Sequence, residues 1–109
     1  MKAIYWQRGE SIDYKNASSS KIEALSVVSL VTRIGVAGTD INPSDTGSVH
    51  VEGVYKMKKA AEEIALGANV YFDVNNDCIT TTSSSNIPAG YAVEASASAD
   101  GYVQVKLLG

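Results

Sequence analysis

The sequence has little of what disulfide scaffolds, metal sites and membrane anchors are made of. Its 109 residues include one cysteine, Cys78, and one histidine, His50. A single cysteine excludes an internal disulfide, and a single histidine excludes a metal site built from several histidines. No apolar run approaches the roughly 20 residues that a membrane-spanning helix needs, and Arg8 and Glu10 interrupt any signal-peptide core. We therefore expect a soluble intracellular protein with no membrane partner.

Charge is also scarce. Only 19% of the residues are charged and the net charge is −3, which argues against a nucleic-acid partner because nucleic-acid-binding proteins usually present a basic face.

Apolar residues make up 45% of the chain. A chain of this length forms one domain that buries little more than about 60% of its unfolded surface. We expect residues 1–109 to form a single β-rich domain, with residues 1–9 as a candidate N-terminal contact segment.

Residues 67–82 are the clearest local signal in the chain. Val70, Tyr71 and Phe72 enter a polar turn, and residues 78–82 leave it. The Asp73–Asp77 segment between them is rich in side chains that tolerate left-handed backbone angles and bond their own main chain. The pattern predicts two strands joined by a tight turn.

Further strands are predicted on both sides of this hairpin. The last two form a second hairpin around Asp100-Gly101, and Gly53 indicates a bulge or a close backbone approach. The alternative for part of the 22–37 region is a helix over residues 21–30. Alternating or β-branched apolar residues indicate strands at 3–6, 11–14, two within 22–37, 48–55, 91–95 and 102–107.

One segment is predicted to be helical. Residues 58–66 carry a narrow apolar stripe that consists of Ala60, Ala61, Ile64 and Ala65. Gly67 follows where a helix C-cap belongs. With about seven or eight short strands and one short helix, the predicted fold class is all-β, either a small β-barrel or a sandwich.

The candidate reactive residues have simpler structural interpretations. Asp73, Asn75 and Asp77 alternate like the start of a calcium loop, but Cys78 and Ser84 stand where such a loop needs glycine and glutamate. His50 lies mid-strand between two valines, which indicates a solvent-facing or interface side chain. Cys78 has no histidine near it in sequence and is expected in the core. We predict no catalytic, cofactor-binding or metal-binding residues, and no enzyme.

Seven short segments follow one another in a recognisable order. They are Gly35-Val36-Ala37, Gly47-Ser48-Val49, Gly53-Val54-Tyr55, Lys59-Ala60, Leu66–Asp73, Gly90–Ala95 and Val103–Leu107. Over roughly residues 10–109 the chain is similar to the small capsid decoration (cement) proteins of tailed bacteriophages and prophages. Those proteins have a glycine before the first valine pair and often another in the turn after it, where this chain has Leu25 and Leu30-Val31. Residues 1–8 are not typical of the family.

The resemblance implies a decoration-type β domain on the outside of a phage head. Its partner would be the major capsid protein, whose expanded shell it would stabilise, and a homotrimer is the favoured assembly. Tyr5, Trp6 and Arg8 are the candidate residues of a capsid or subunit interface, because a short segment with two large aromatics has little reason to be exposed. The equal alternative is that these aromatics belong to the core.

A second functional interpretation is a small β-module that binds a carbohydrate or a peptide. Its means would be aromatic platforms on the surface. Clustering of several tyrosines on one exposed face would favour this module, whereas their scattering would favour the decoration protein. The tyrosines concerned are Tyr14, Tyr55, Tyr71, Tyr91 and Tyr102.

Overall fold

Nine β-strands in two antiparallel sheets make up the regular structure of the computed structural model, which describes residues 1–108. The predicted all-β class is confirmed, with a sandwich-like arrangement of the two sheets. The strands are β1 (Ser11–Lys15), β2 (Val27–Ser29), β3 (Ile34–Ala37), β4 (Thr46–His50), β5 (Val54–Lys58), β6 (Asn69–Asp73), β7 (Cys78–Thr80), β8 (Ile87–Ala92) and β9 (Tyr102–Leu107).

The first sheet has four strands in the order β1-β4-β3-β2. Ile12 of β1 pairs with Val49 of β4, and Val27 of β2 pairs with Val36 of β3. The prediction of two short strands rather than a helix in the 22–37 region is therefore confirmed. Strands β1 and β2 form the two edges of this sheet.

The second sheet has five strands in the order β5-β9-β8-β6-β7. Side chains along β9 alternate between exposed and buried from Tyr102 to Leu107, as expected for a strand with one face on the core. The predicted hairpin at 67–82 is confirmed as β6 and β7. Lys59, directly after β5, forms one parallel bridge with Ile79 of β7, but within residues 1–108 no strand ladder closes this sheet into a barrel.

The predicted helix over residues 58–66 is wrong, and none of residues 1–108 is helical. Lys58 ends β5, and Ile64 pairs with Ser96 through two backbone hydrogen bonds of 2.8 Å each. The Lys59 ammonium donates to the carbonyl oxygens of Ala60 (3.1 Å) and Glu62 (2.6 Å). These tertiary bonds outcompete a helix of two to three turns, because so short a helix is marginal without packing of its own.

Three strand predictions also need correction. Residues 3–6 form no strand. Residues 48–55 are not one strand, because β4 ends at His50 and the chain passes to the other sheet through Gly53, whose φ is 113°. Strands β8 and β9 do pair, but residues 93–101 join them instead of a tight Asp100-Gly101 turn.

The apolar side chains form two cores. The larger lies between the sheets and includes Ile34 and Val36 of β3 together with the inward side chains of the five-stranded sheet. The smaller lies on the opposite face of the four-stranded sheet, where Ile22 and Ile41 pair and cover it. Successive strand residues point to opposite faces, so β3 contributes Ala37 to the smaller core.

One four-residue turn recurs before five of the strands. In each, the amide of the last residue donates to the carbonyl of the first: Glu23–Ser26, Asn42–Asp45, Ala65–Ala68, Ser83–Asn86 and Ala97–Asp100. The third residue has a positive φ in the first four turns, at Leu25, Ser44, Gly67 and Ser85. Only one of these four is glycine, the residue that such a backbone favours, so the repeated geometry is invisible as a sequence repeat.

Candidate interaction surface

The N-terminal arm, defined as residues 1–9, extends away from both cores. Ile4, Tyr5 and Trp6 are 90%, 82% and 89% exposed. The side-chain contacts of the arm are a 3.4 Å hydrogen bond from Gln7 Nε2 to the Ser11 carbonyl and a 3.9 Å ion pair between Arg8 and Glu10, both exposed. The alternative that Tyr5 and Trp6 belong to the core is therefore wrong, whereas their role in an interface stays a prediction.

The arm separates from the fold at a defined point. Glu10 is held by a 3.0 Å hydrogen bond from the Val51 amide to its carbonyl, and β1 begins at the next residue. Gly9 precedes this anchor with a φ of 81° and has no atom near its missing side chain. Covering the two aromatics would remove roughly 300–500 Å² from water. The other exposed aromatics within residues 1–108, Tyr91 and Tyr102, are 42% and 56% exposed, less than Tyr5 or Trp6.

A groove opens between the two sheets, and we call it the inter-sheet groove. Its volume is about 430 Å³, within the range of roughly 300–1,000 Å³ typical of protein pockets. Leu25 and Val27 line it from the four-stranded sheet, and Met57, Phe72 and Cys78 line it from the five-stranded sheet. Val36 of β3 also lines the groove. Met57, Phe72 and Cys78 are only 7%, 8% and 8% exposed, so the groove lies over side chains that are already buried in the fold.

The outer face of the five-stranded sheet carries lysines and polar groups. Lys56, Lys58 and Lys106 alternate with inward side chains along β5 and β9, and they form no ion pair with any of residues 1–108. The Lys56 ammonium lies 4.8 Å from the centre of the Tyr102 ring, a cation–π distance. Glu94 and Asp100 line a pocket together with Lys56, so carboxylates accompany the lysines on this side of the sheet.

The five tyrosines of the alternative ligand-binding function lie in two kinds of position, two on the cores and three on one outer face. Tyr14 packs on the smaller core and Tyr55 on the larger one. Tyr71, Tyr91 and Tyr102 share the outer face of the five-stranded sheet. Tyr91 pairs with Asn69, two residues along β6 from Tyr71, so these two tyrosines are diagonal neighbours. Tyr91 also pairs with Lys106, four residues along β9 from Tyr102, and at about 3.3 Å per residue this separates Tyr91 from Tyr102 by roughly 13 Å. The five tyrosines therefore divide between the two cores and one outer face, where two of them are neighbours.

The candidate reactive residues also occupy structural positions. The Asp73 carboxylate accepts hydrogen bonds from Asn75 and Asn76 within the β6–β7 turn, and the Asn76 side chain is the main cause of its lowered pKa. Burial raises the pKa of the Cys78 thiol. His50 is half-buried in β4 beside Gly38. In the part of the chain that the structure describes, no three His, Cys, Asp or Glu side chains are grouped to hold a metal ion.

The comparison with protein families decides the relationship. The family described as phage cement protein matches residues 6–107. The chain belongs to the phage cement protein family. The match runs from Trp6 to the end of β9, so it covers both sheets and leaves out most of the arm. No curated protein and no solved structure matches the chain, and no helix within residues 1–108 is long and apolar enough to cross a membrane.

Two residues that are not glycine, Leu25 and Val31, have a positive φ at positions where the cement family has glycine nearby. The family pattern places glycines near Leu25 and Val31, and these two residues have φ values of 71° and 74°. Both side chains are about four-fifths exposed, at 78% and 81%. The sequence indicated these two positions, because each has a larger residue where the family has glycine. It could not indicate the inter-sheet groove beside Leu25, since the groove depends on how the two sheets stack.

Proposed function

We propose that the protein binds the outer surface of the major capsid protein lattice of a phage head and stabilises the expanded shell. The observation that carries this proposal is the match to the phage cement protein family over residues 6–107. In this proposal the protein is made in the cytoplasm of the host bacterium and ends on the exterior of the virion. It performs no enzymatic reaction and uses no cofactor.

The physical requirements of such a role are modest. A cement protein needs a rigid fold and an adhesive surface, and many weakly bound copies on one shell gain from multivalency when their spacing matches the lattice. Two antiparallel sheets with two apolar cores supply the rigid fold. The exposed arm supplies the adhesive element.

We further propose a homotrimer as the assembled state. The four-stranded sheet has free edges at β1 and β2, and unpaired edges invite uncontrolled association. Closed rotational symmetry covers such surfaces in a fixed number of copies. A trimer also suits the threefold positions of a capsid lattice.

The arm is the contact segment in this proposal. Tyr5 and Trp6 bring apolar area, and Arg8 brings a cation at the base of the arm, where its ion pair within residues 1–108 is with the exposed Glu10. Burying a large apolar side chain contributes about 1.5–3 kcal/mol. The loss of both aromatics therefore predicts at least about tenfold weaker attachment.

Sedimentation with expanded empty heads tests the function. The purified protein is mixed with heads, the heads are pelleted, and the bound protein is quantified; heads with and without it are then heated to compare their rupture temperatures. We expect saturable binding and a higher rupture temperature. Protein that stays in the supernatant at all concentrations would contradict the proposed function.

Removal of residues 1–8 tests the role of the arm separately. The truncated protein should bind heads at least about tenfold more weakly. A matched control replaces Leu66 and Val74, which are exposed apolar residues outside the arm, with alanine and should bind normally. Equal binding by the truncated and full-length proteins would remove the arm from the contact while leaving capsid binding intact.

A further inference from the structure

We infer that residues 59–62 form a strap that closes the outer edge of β7, and that this strap opens while the two cores stay folded. We call residues 59–62 the edge strap. Its role is to keep β7 from pairing with strands of other chains. The inference does not depend on capsid binding, because it concerns the free protein and involves neither the arm nor a head.

Strand β7 is at one end of the five-stranded sheet and has β6 as its only neighbour in the strand order. Backbone groups of alternate residues face the same side of a strand. On the side of β7 away from β6, these are the groups of Ile79 and of Thr81, which directly follows the strand. An uncovered edge of this kind is a template on which another chain can add a strand.

The edge strap lies along this edge in place of a strand. The Ala60 amide donates to the Ile79 carbonyl at 2.8 Å, and Lys59 forms a parallel bridge with Ile79. Two residues further along each segment, the Thr81 amide donates to the Glu62 carboxylate at 2.8 Å. A side-chain carboxylate thus takes the position of a backbone carbonyl. These edge groups are therefore already bonded and offer no site to another chain.

Lys59 holds the edge strap in this shape from its buried side. Its side chain belongs to a type that is rarely buried without partners, yet Lys59 is only 6% exposed. The ammonium donates to the carbonyls of Ala60 (3.1 Å) and Glu62 (2.6 Å). The amide of Lys59 donates to the Gly101 carbonyl beside β9 at 3.1 Å. Lys59 therefore connects the strap to β9 on one side and to β7 on the other.

Fewer bonds hold the edge strap than hold the strands beside it. Strand β5 is joined to β9 over five residue pairs, whereas its continuation meets β7 at one bridge. Ala61 is exposed and Ala60 is half-buried, so the middle of the strap buries little apolar surface. Segments of this kind open at a lower free energy than the whole fold. Opening separates β5 from β7 beside the inter-sheet groove, which Lys58 and Cys78 line.

The Cys78 thiol reports on this opening. Cys78 is the only cysteine, lies in β7 and is 8% exposed, and a buried thiol is unreactive until it is uncovered. Its rate of reaction with Ellman's reagent is measured across a urea series and compared with global unfolding. We expect a low-urea branch with a much shallower urea dependence, because local opening exposes less surface. A rate that follows global unfolding at every urea concentration would overturn the inference.

Glu62→Ala removes the carboxylate that holds Thr80 and Thr81. The low-urea reaction of Cys78 should become at least about tenfold faster, because several hydrogen bonds to a charged group are lost. Glu63→Ala is the matched control, since Glu63 is the exposed neighbour of Glu62, and it should leave the rate unchanged. Equal rates in the two variants would show that the groove rather than the strap controls access to Cys78, which overturns the inference.

Light scattering over a range of protein concentrations tests the guarding role. Glu62→Ala should form larger species at concentrations where the unmodified protein and Glu63→Ala keep their size, because an uncovered β7 edge pairs with other chains. Asn16→Ala controls for a general loss of stability, because Asn16 bonds to Ile41 in the other sheet's core and not to β7, and it should also keep its size.

The same assembly state in all four proteins, or equal growth of Glu62→Ala and Asn16→Ala, would overturn the guarding role. If Glu62→Ala does not fold, the urea dependence of Cys78 in the unmodified protein still decides whether the edge strap opens locally. Neither measurement involves heads, so sedimentation with heads tests the capsid role separately.

Discussion

Leu25 and Val31 adopt a backbone conformation that costs free energy. Their φ values are 71° and 74°, a left-handed region that costs an ordinary residue about 1–2 kcal/mol. Their side chains are mostly exposed, so packing within the subunit does not compensate for this cost. For Leu25 the strain follows from the turn before β2, whose third residue has a positive φ as in three of the other recurring turns.

Replacing either residue with glycine should stabilise the isolated subunit. Relief of about 1–2 kcal/mol exceeds the roughly 0.4–1 kcal/mol by which glycine favours the unfolded chain. The net gain of about 0.5–1 kcal/mol predicts a rise in Tm of about 2–8 °C for each variant. Thermal unfolding followed by circular dichroism checks this, and an unchanged or lower Tm for both variants would contradict the strain argument.

Asn16 joins the two connections that cover the smaller core. It is 1% exposed, and its side-chain amide donates to the carbonyls of Ser20 (2.8 Å) and Ile41 (2.9 Å) while its oxygen accepts from the Ser18 amide (3.0 Å). All of its hydrogen-bonding groups are thus used within the fold. The loss of this one side chain removes all of these bonds, although the Ile41 carbonyl still accepts from the Ile22 amide and the Ser20 carbonyl from the Ser18 hydroxyl.

Asn16→Ala should destabilise the protein by about 2–4 kcal/mol, because it removes several hydrogen bonds that each contribute about 0.5–1.5 kcal/mol. Urea unfolding measures the change. Asn76→Ala is the matched control, since Asn76 is exposed and bonds only within the β6–β7 turn, and it should cost less than about 1 kcal/mol. Similar losses for both variants would contradict the central role of Asn16.

At the scale of elements, the β8–β9 ladder depends on Gly90. Its φ is 150°, and a Cβ added there would lie 1.8 Å from the Lys106 carbonyl oxygen of β9. Gly90→Ala should destabilise the protein by about 3 kcal/mol or more, through overlap with backbone and through strain. Gly101→Ala is the control, because no atom lies near the position of its Cβ. Equal urea midpoints for the two variants would show that the ladder tolerates a side chain at residue 90.

The segment between β5 and β6 is held by a carboxylate. Glu62 accepts hydrogen bonds from the Thr81 hydroxyl, from the Thr81 amide at 2.8 Å and from the Thr80 hydroxyl at 3.1 Å. The Thr81 hydroxyl is the largest cause of the lowered pKa of Glu62, and burial opposes it. These bonds tie residues 58–66, for which the local sequence predicts a helix, to the end of β7.

This contact should make stability depend on pH. Because the pKa of Glu62 is lower in the folded state, the unfolded state binds more protons as the pH falls, and stability is lost on acidification below the ordinary glutamate value of about 4.3. Glu62→Gln should show a smaller loss of unfolding free energy between pH 6 and pH 3 than the unmodified protein. An identical loss in both proteins would exclude Glu62 as a source; Asp73→Asn, whose carboxyl has a lowered pKa in the folded protein as well, measures the remaining share.

At the scale of the whole molecule, the arm and the folded body are energetically separate. The arm makes only exposed side-chain contacts, so removing residues 1–8 should change the unfolding free energy by no more than about 0.5 kcal/mol. Thermal unfolding of dilute protein, with its mass checked by light scattering, tests this. A large fall in stability for dilute monomer would mean that the arm supports its own fold.

The sequence allowed much of the strand framework to be predicted. Strands β1, β6 and β9 follow from side-chain alternation, and the turn at Asn42–Asp45 follows from residues that favour turns. The candidate interface residues Tyr5 and Trp6 could be named from their size, but their exposure could not. Two adjacent aromatic residues give the same sequence pattern in a buried strand as in an exposed arm.

The sequence by itself determined most of the extended segments and turns, because these depend on residue types a few positions apart. It also determined the family, because the match rests on the order of residue types along residues 6–107. Tertiary structure alone decided that residues 48–55 divide between two sheets and that residues 58–66 are not helical. The physical reason is that these outcomes rest on hydrogen bonds between distant residues, such as Ile64 with Ser96 and Lys59 with Ile79. The inter-sheet groove likewise forms only when the two sheets stack, because residues from both sheets line it.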